Sequence, residues 1–115
     1  YHTDVLMFVG TDIIGICFDV IKAEHRDYVK EKVNTFHKVI ELTSEQIESF
    51  CGNAIEAKNN NNELFLIISS AAYKALNQNQ KEKLLESYKD IIHSDIPTIE
   101  KYGGGSARCM LTELF

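Results

Sequence analysis

Tyr102-Gly103-Gly104-Gly105-Ser106-Ala107-Arg108-Cys109-Met110-Leu111-Thr112-Glu113-Leu114-Phe115 is the stretch that orders the reading of this 115-residue chain. Three consecutive glycines lose the most backbone freedom on ordering and do not belong in a helix interior or regular strand. They permit backbone conformations and close approaches that a Cβ forbids. A polar turn then delivers an arginine and a cysteine to the apolar run Met110-Leu111, with Leu114-Phe115 beyond. The geometry expected is a glycine turn that opens a buried strand, with Cys109 facing a cleft. Arg108 beside it is a fixed positive charge, which favours thiolate over thiol. The same residues also suit a plain loop before a strand, with the cysteine as a small hydrophobe.

The motif as a whole weighs toward chemistry. Gly-Gly-Gly-Ser-Ala-Arg-Cys-Met-Leu-Thr-Glu-Leu-Phe over 103–115 closely resembles the carboxy-terminal nucleophile motif of the guanidine-modifying enzymes. That superfamily includes arginine deiminase, the amidinotransferases and dimethylarginine hydrolase. The likeness is nearest to the bacterial amidinotransferase-like group that includes citrulline-utilisation hydrolases. The superfamily's chain ends on a Gly-Gly-x-x-Arg-Cys turn whose cysteine attacks the substrate, so the resemblance makes Cys109 the nucleophile. It also implies an α+β fold, a five-bladed, pentein-like propeller of ββαβ modules. Residues 1–43 and 44–115 would be two such modules of a larger chain, with the upstream modules missing.

Working back from the glycines, Ile96 to Tyr102, which contains the only proline, Pro97, reads as extended. Leu84, Leu85, Tyr88, Ile91 and Ile92 fall at helical spacing, which predicts a helix over 78–90 with Asn77 and Gln80 as its cap. Ser69 to Tyr73 reads as a short helical link. Leu64 to Ile68 is the most apolar strand, preceded by a polar tip with four consecutive asparagines. Asn53 to Ala57 is a further strand. Thr43 and Gln46 form a second capping-box pair before a brief helix with Ile47 and Phe50 on its apolar side. Val39 to Leu42 reads as a strand. Ala23 to Phe36 is helical, with Val29, Val33 and Phe36 on one face and Tyr28 at its flank. Val5 to Val9 and Ile13 to Phe18, parted by Gly10-Thr11-Asp12, predict a hairpin buried on both faces. The order strand, strand, helix, strand thus occurs twice, with the second strands about 50 residues apart.

A net charge of −5 and a pI near 5.3 give no basic footprint for nucleic acid. No apolar stretch approaches the roughly 20 residues of a membrane helix, and no signal-peptide pattern is evident. Cys17, Cys51 and Cys109 form no CxxC pair, which argues against a disulfide framework and for the cytoplasm. Cys17 and Cys51 lie in apolar surroundings and read as inert core thiols. The histidines and cysteines show no ligand spacing, so no metal and no cofactor are expected. His25 and His37 read as solvated, and His93 as a helix-end cation.

His2 and Asp4 share a face if the segment before the first strand is extended. A histidine beside a carboxylate can act as acid or base near neutral pH; a frayed, solvated terminus accounts for the same residues. The resemblance places its catalytic histidine in a His-x-Asp or His-x-Asn motif, which implies His2 as acid and base and Asp4 as a holder of the guanidinium. Gly52-Asn53-Ala54-Ile55-Glu56 is similar to that group's Gly-Asn-x-x-Glu segment, which implies hydrogen bonding near the site by Asn53. A helix-ending turn explains Gly52-Asn53 equally well, and Glu56 also suits a solvated strand position. Arg108 could tune the thiol, hold a substrate carboxylate or form a structural salt bridge.

The function implied is hydrolysis of a guanidino or ureido group, of arginine, citrulline or a related compound, through a cysteine-bound intermediate. An amidinotransferase uses the same groups, and a non-catalytic pentein-fold module for binding or assembly is the alternative from another class. The expected partners are a small guanidino or ureido molecule, and either the missing upstream part of the chain or a second copy covering exposed sheet edges. Neither nucleic acid nor membrane is expected.

Overall fold

The computed structural model describes residues 2–114. Tyr1, which precedes the His2 segment, and Phe115, which ends the apolar run, lie outside the described residues. The protein is α+β and consists of two ββαβ modules, each built on a three-stranded sheet. In the first, β1 (Met7–Val9) pairs antiparallel with β2 (Ile13–Ile16), α2 (Ala23–Phe36) crosses over, and β3 (Lys38–Glu41) lies parallel to β2. In the second, β4 (Ile55–Lys58) pairs antiparallel with β5 (Leu64–Ser69). Helices α4 (Ser70–Ala75) and α5 (Gln78–Ser87) then lead to β6 (Asp90–Ser94), parallel to β5. A single helical turn, α1 (Thr3–Leu6), precedes β1, and α3 (Ser44–Glu48) joins the modules.

The unbroken apolar run of β2 follows from cover on both faces. Ile13 and Cys17 point into the main core, while Ile14, Ile16 and Phe18 pack with Val29 and Val33 of α2 in a smaller one. Phe8 lies opposite Gly15 on β1, and a Cβ on Gly15 would sit 2.1 Å from the Phe8 ring. The glycine thus makes room for an aromatic that roofs the hairpin. The main core takes Phe8, Ile13 and Ile40 from one module and Leu66, Ile68, Leu84 and Tyr88 from the other. One core therefore serves both modules.

Polar bonds reinforce that seam. Glu56 on β4 accepts from the Thr11 N–H at 2.8 Å and from the Tyr88 hydroxyl at 3.0 Å. Burial, with the Glu56 carboxylate adding, pushes the Tyr88 phenol up. Both expected capping boxes form, Thr43 with Gln46 and Asn77 with Gln80. Their glutamines also meet: Gln46 Nε2 donates to Gln80 Oε1 at 2.7 Å, and Gln80 Nε2 returns a bond to Gln46 Oε1 at 3.0 Å.

Several sequence expectations need correction. The helix predicted over 78–90 ends at Ser87, and Ile91 and Ile92 belong to β6. Tyr88 leaves the helix with extended backbone, and the two isoleucines pair with Leu66 and Ile67 of β5 instead. Ile96 to Tyr102 is not extended: α6 spans Pro97–Gly103, with the proline at its first position, where a missing N–H costs nothing. Residues 3–6 are helical, so strand alternation does not relate His2 to Asp4. Met110 and Leu111 open no strand. Residues Arg108–Met110 form a 3₁₀ turn, and both apolar side chains are about half exposed. Among the described residues, no helix is long and apolar enough to cross a membrane.

Candidate active site

The three glycines do three different things. Gly103 ends α6, Gly104 takes the left-handed conformation (φ 68°) that caps it, and Gly105 lies buried beneath the cysteine. A Cβ on Gly105 would stand 2.7 Å from Cys109 Sγ. The absent side chain is the space the thiol occupies. The 3₁₀ turn then holds Cys109 at the surface, in contrast to the buried Cys17 and Cys51.

Asn53 ties this turn to the amino-terminal segment. It is fully buried. Its Nδ2 donates to the Asp4 carbonyl at 2.7 Å and to Cys109 Sγ at 3.3 Å, and its Oδ1 accepts from the Ser106 N–H at 2.9 Å. Both amide hydrogens and one oxygen lone pair are used, leaving the side chain one orientation that satisfies them. The neighbouring Gly52 explains how the amino-terminal segment comes so near. A Cβ there would lie 2.4 Å from the Val5 carbonyl oxygen, so α1 and the start of β1 run directly against the glycine.

Asp4 reaches the same point from α1. Its Oδ2 lies 4.0 Å from Cys109 Sγ and 3.9 Å from Arg108 Nε. Both partners of the ion pair are partly exposed, and pairs of this kind contribute about 1 kcal/mol or less. The open cleft beside them is bordered by Asp4, Ile55, Arg108, Leu111 and Glu113. An exposed thiol, a buried amide donor and a carboxylate thus meet at one point, and the carboxylate borders the cleft. Such a set can hold a cation and present a sulfur nucleophile to it.

Behind the turn lies a second layer. Glu100 Oε2 on α6 accepts from Ser106 Oγ at 2.8 Å and from Ser69 Oγ at 2.9 Å. Ser106 is fully buried, and Ser69 caps α4 by accepting from the Ala72 N–H. Cys51 is buried nearby and donates to the Ala72 carbonyl; burial, with Glu100 adding, pushes its thiol up to about 12.

The structure therefore brings together four of the five residues singled out from the sequence, Asp4, Asn53, Arg108 and Cys109. His2, the fifth, is exposed on extended backbone immediately before α1, two positions from Asp4. Glu56 turns to Thr11 and Tyr88 rather than to the cysteine. His25 is exposed and His37 half-buried. His93, read as a helix-end cation, lies instead in β6, where it bonds Ser70 and stacks on Tyr73. Among the described residues, no three His, Cys, Asp or Glu side chains cluster as metal ligands would. Sequence reasoning passed over Ser106 and Glu100. Ser106 stood in the motif, but nothing local marks Glu100, because its partners lie 6 and 31 residues away.

Comparison with known proteins bears on this arrangement. None of the curated proteins matches the chain. Among solved structures, the chain is similar to ArgZ in its apo form, an arginine dihydrolase from the ornithine-ammonia cycle in cyanobacteria. The TM-score is 0.71 at 20% identity, over 99% of this chain and 17% of that one. At that identity the likeness is one of fold, and this chain spans about a sixth of the ArgZ chain's length. The family model described as N,N dimethylarginine dimethylhydrolase, eukaryotic, matches residues 1–115. With residues 1–115 matched, the chain belongs to the N,N dimethylarginine dimethylhydrolase family of the guanidine-modifying superfamily.

Proposed function

We propose that this chain carries the nucleophile of a cysteine-dependent hydrolase acting on the guanidino or ureido group of arginine, dimethylarginine, citrulline or a related compound. The observation that carries the reading is the exposed Cys109 thiol, held 3.3 Å from the buried Asn53 amide and beside the Asp4 carboxylate. Family membership supports the same chemistry.

A guanidinium carbon is resonance-stabilised and weakly electrophilic, so it must be both oriented and attacked. Asp4 accepts hydrogen bonds from the substrate's N–H groups, in competition with Arg108. The thiolate of Cys109 adds to the central carbon. The C–N bond to the departing ammonia or amine breaks as His2 supplies its proton. This leaves an amidino group bound to sulfur. His2 then takes a proton from water, whose oxygen adds to that carbon, and the C–S bond breaks to restore the thiolate. One water is consumed, one amine is released, and the guanidino group becomes a ureido group. No step calls for a cofactor. Arg108 is free to meet a substrate carboxylate when the cation takes Asp4 from it.

The remaining substrate contacts belong, in this reading, to upstream modules of the same chain, and the two modules alone are inactive. The enzyme works in the cytoplasm, on a small molecule, without nucleic acid or membrane. The test is amine release from arginine, dimethylarginine and citrulline by the full-length chain. Cys109→Ser should abolish release and His2→Ala should lower it by about a hundredfold or more. Unchanged release by the Cys109→Ser protein would refute the reading.

A further inference from the structure

We propose that Glu100 and Ser106 are positioning residues for Cys109: a carboxylate bracket on α6 that fixes the turn from behind and sets the thiol over Gly105. The inference rests on the reading of Cys109 as nucleophile.

The bonds run in series from Ser69 to Cys109. Glu100 Oε2 accepts both the Ser106 and the Ser69 hydroxyl, at 2.8 and 2.9 Å. Ser69 is itself anchored as the N-cap of α4. Ser106 then passes the constraint forward, donating its N–H to Asn53 Oδ1, while Asn53 Nδ2 donates to Cys109 Sγ. Ser106 and Ser69 are both almost completely buried, so neither hydroxyl has water as a ready substitute partner. Three of the links come from separate parts of the chain: the end of β5, the middle of α6 and the glycine turn.

Such an arrangement answers a specific difficulty. The turn that carries the thiol follows three glycines and lies outside both sheets, and its main-chain tie to Asn53 is a long one, the Arg108 N–H to the Asn53 carbonyl at 3.5 Å. A charged acceptor makes stronger hydrogen bonds than a neutral one. Placed on α6, which leads directly into the glycines, Glu100 grips the turn three residues before the cysteine. It does not touch the cleft bordered by Asp4 and Arg108.

The experiment uses the full-length chain and four variants: Ser106→Ala, Glu100→Ala, their combination, and Glu56→Gln as a control on a part-buried bond away from the thiol. Steady-state turnover of arginine and dimethylarginine, the iodoacetamide alkylation rate of Cys109 and the melting temperature are measured for each. Ser106→Ala and Glu100→Ala should lower kcat about ten- to a hundredfold, as small misplacements of a reacting group do, with KM little changed. Cys109 alkylation should slow in parallel. The double variant should be no worse than the poorer single one, because the two residues act as a unit. Glu56→Gln should lower the melting temperature and leave kcat unchanged. If Glu100→Ala does not fold, Ser106→Ala decides, since it removes one oxygen and keeps the Glu100–Ser69 bond. A wild-type kcat in a folded Ser106→Ala protein would overturn the proposal, while leaving the role of Cys109 intact. A Cys109→Ser protein that turns over normally would overturn both.

Discussion

The thiol's position depends on atoms that are absent. Gly105 and Gly103 are two residues apart in one glycine run, yet their missing side chains have different consequences. A methyl at Gly105 would stand 2.7 Å from Cys109 Sγ, whereas one at Gly103 would meet only Ile99 Cγ2 at an ordinary 3.7 Å. Gly105→Ala should therefore keep the fold and lower kcat by about a hundredfold, by displacing the thiol. Gly103→Ala should keep full activity and gain up to about 1 kcal/mol from better helix propensity. Kinetics and thermal melting of the two proteins, side by side, check both. The sequence announces that a glycine run precedes a cysteine. It does not say which glycine makes room for the sulfur, because that follows from how the 3₁₀ turn folds back. The same holds for Asn53: its type and its neighbour Gly52 were legible, while its burial and its bond to a sulfur 56 residues away were not.

At the level of elements, the capping boxes show what local sequence can and cannot carry. Thr43 with Gln46, and Asn77 with Gln80, are recognisable three residues apart because the bonds they make are local. That the two glutamines then pair with each other across the seam, 34 residues apart, has no local signature. Gln80→Ala loses a cap partner, the bond to the Glu41 carbonyl and the pair with Gln46. It should cost about 1–3 kcal/mol in urea unfolding. Combining it with Gln46→Ala should cost less than the sum of the two, because they share bonds. Misread elements have an equally physical origin. Ile91 and Ile92 continue the helical spacing of Leu84 and Tyr88, yet β5 offers them a parallel partner. Pro97 reads as punctuation and proves to open a helix.

For the whole molecule, the pairing of two modules around one core has a pH signature. Cys51 lies in that core with its thiol pushed up to about 12, against a usual 9.0, by burial and secondarily by Glu100. A raised native pKa stabilises the fold fully below the unfolded value. As pH rises above that value the unfolded chain ionises first, and stability declines until the native pKa is reached. Stability should thus fall between about pH 9 and 12, by up to roughly 1.4 kcal/mol per pH unit from this group. The upward push on Tyr88 acts in the same direction at higher pH. Urea midpoints at pH 8 and pH 10 should differ less for Cys51→Ala than for the natural chain, and equal differences would show that Cys51 does not titrate on unfolding. The α+β order of two ββαβ modules was legible because apolar runs and a helical stretch recur in the same order twice. The shared core was not, since it is assembled from residues as far apart as Phe8 and Ile91.

The central claim is that the Cys109 sulfur bonds to the substrate's guanidino carbon. Acid-quenching the full-length protein during turnover of arginine or dimethylarginine, followed by peptide mass spectrometry, tests it directly. The expected result is an amidino adduct on the peptide that contains Cys109, absent from the Cys109→Ser protein. Steady turnover by that variant, or an adduct on Cys17 or Cys51 with Cys109 unmodified, would contradict it.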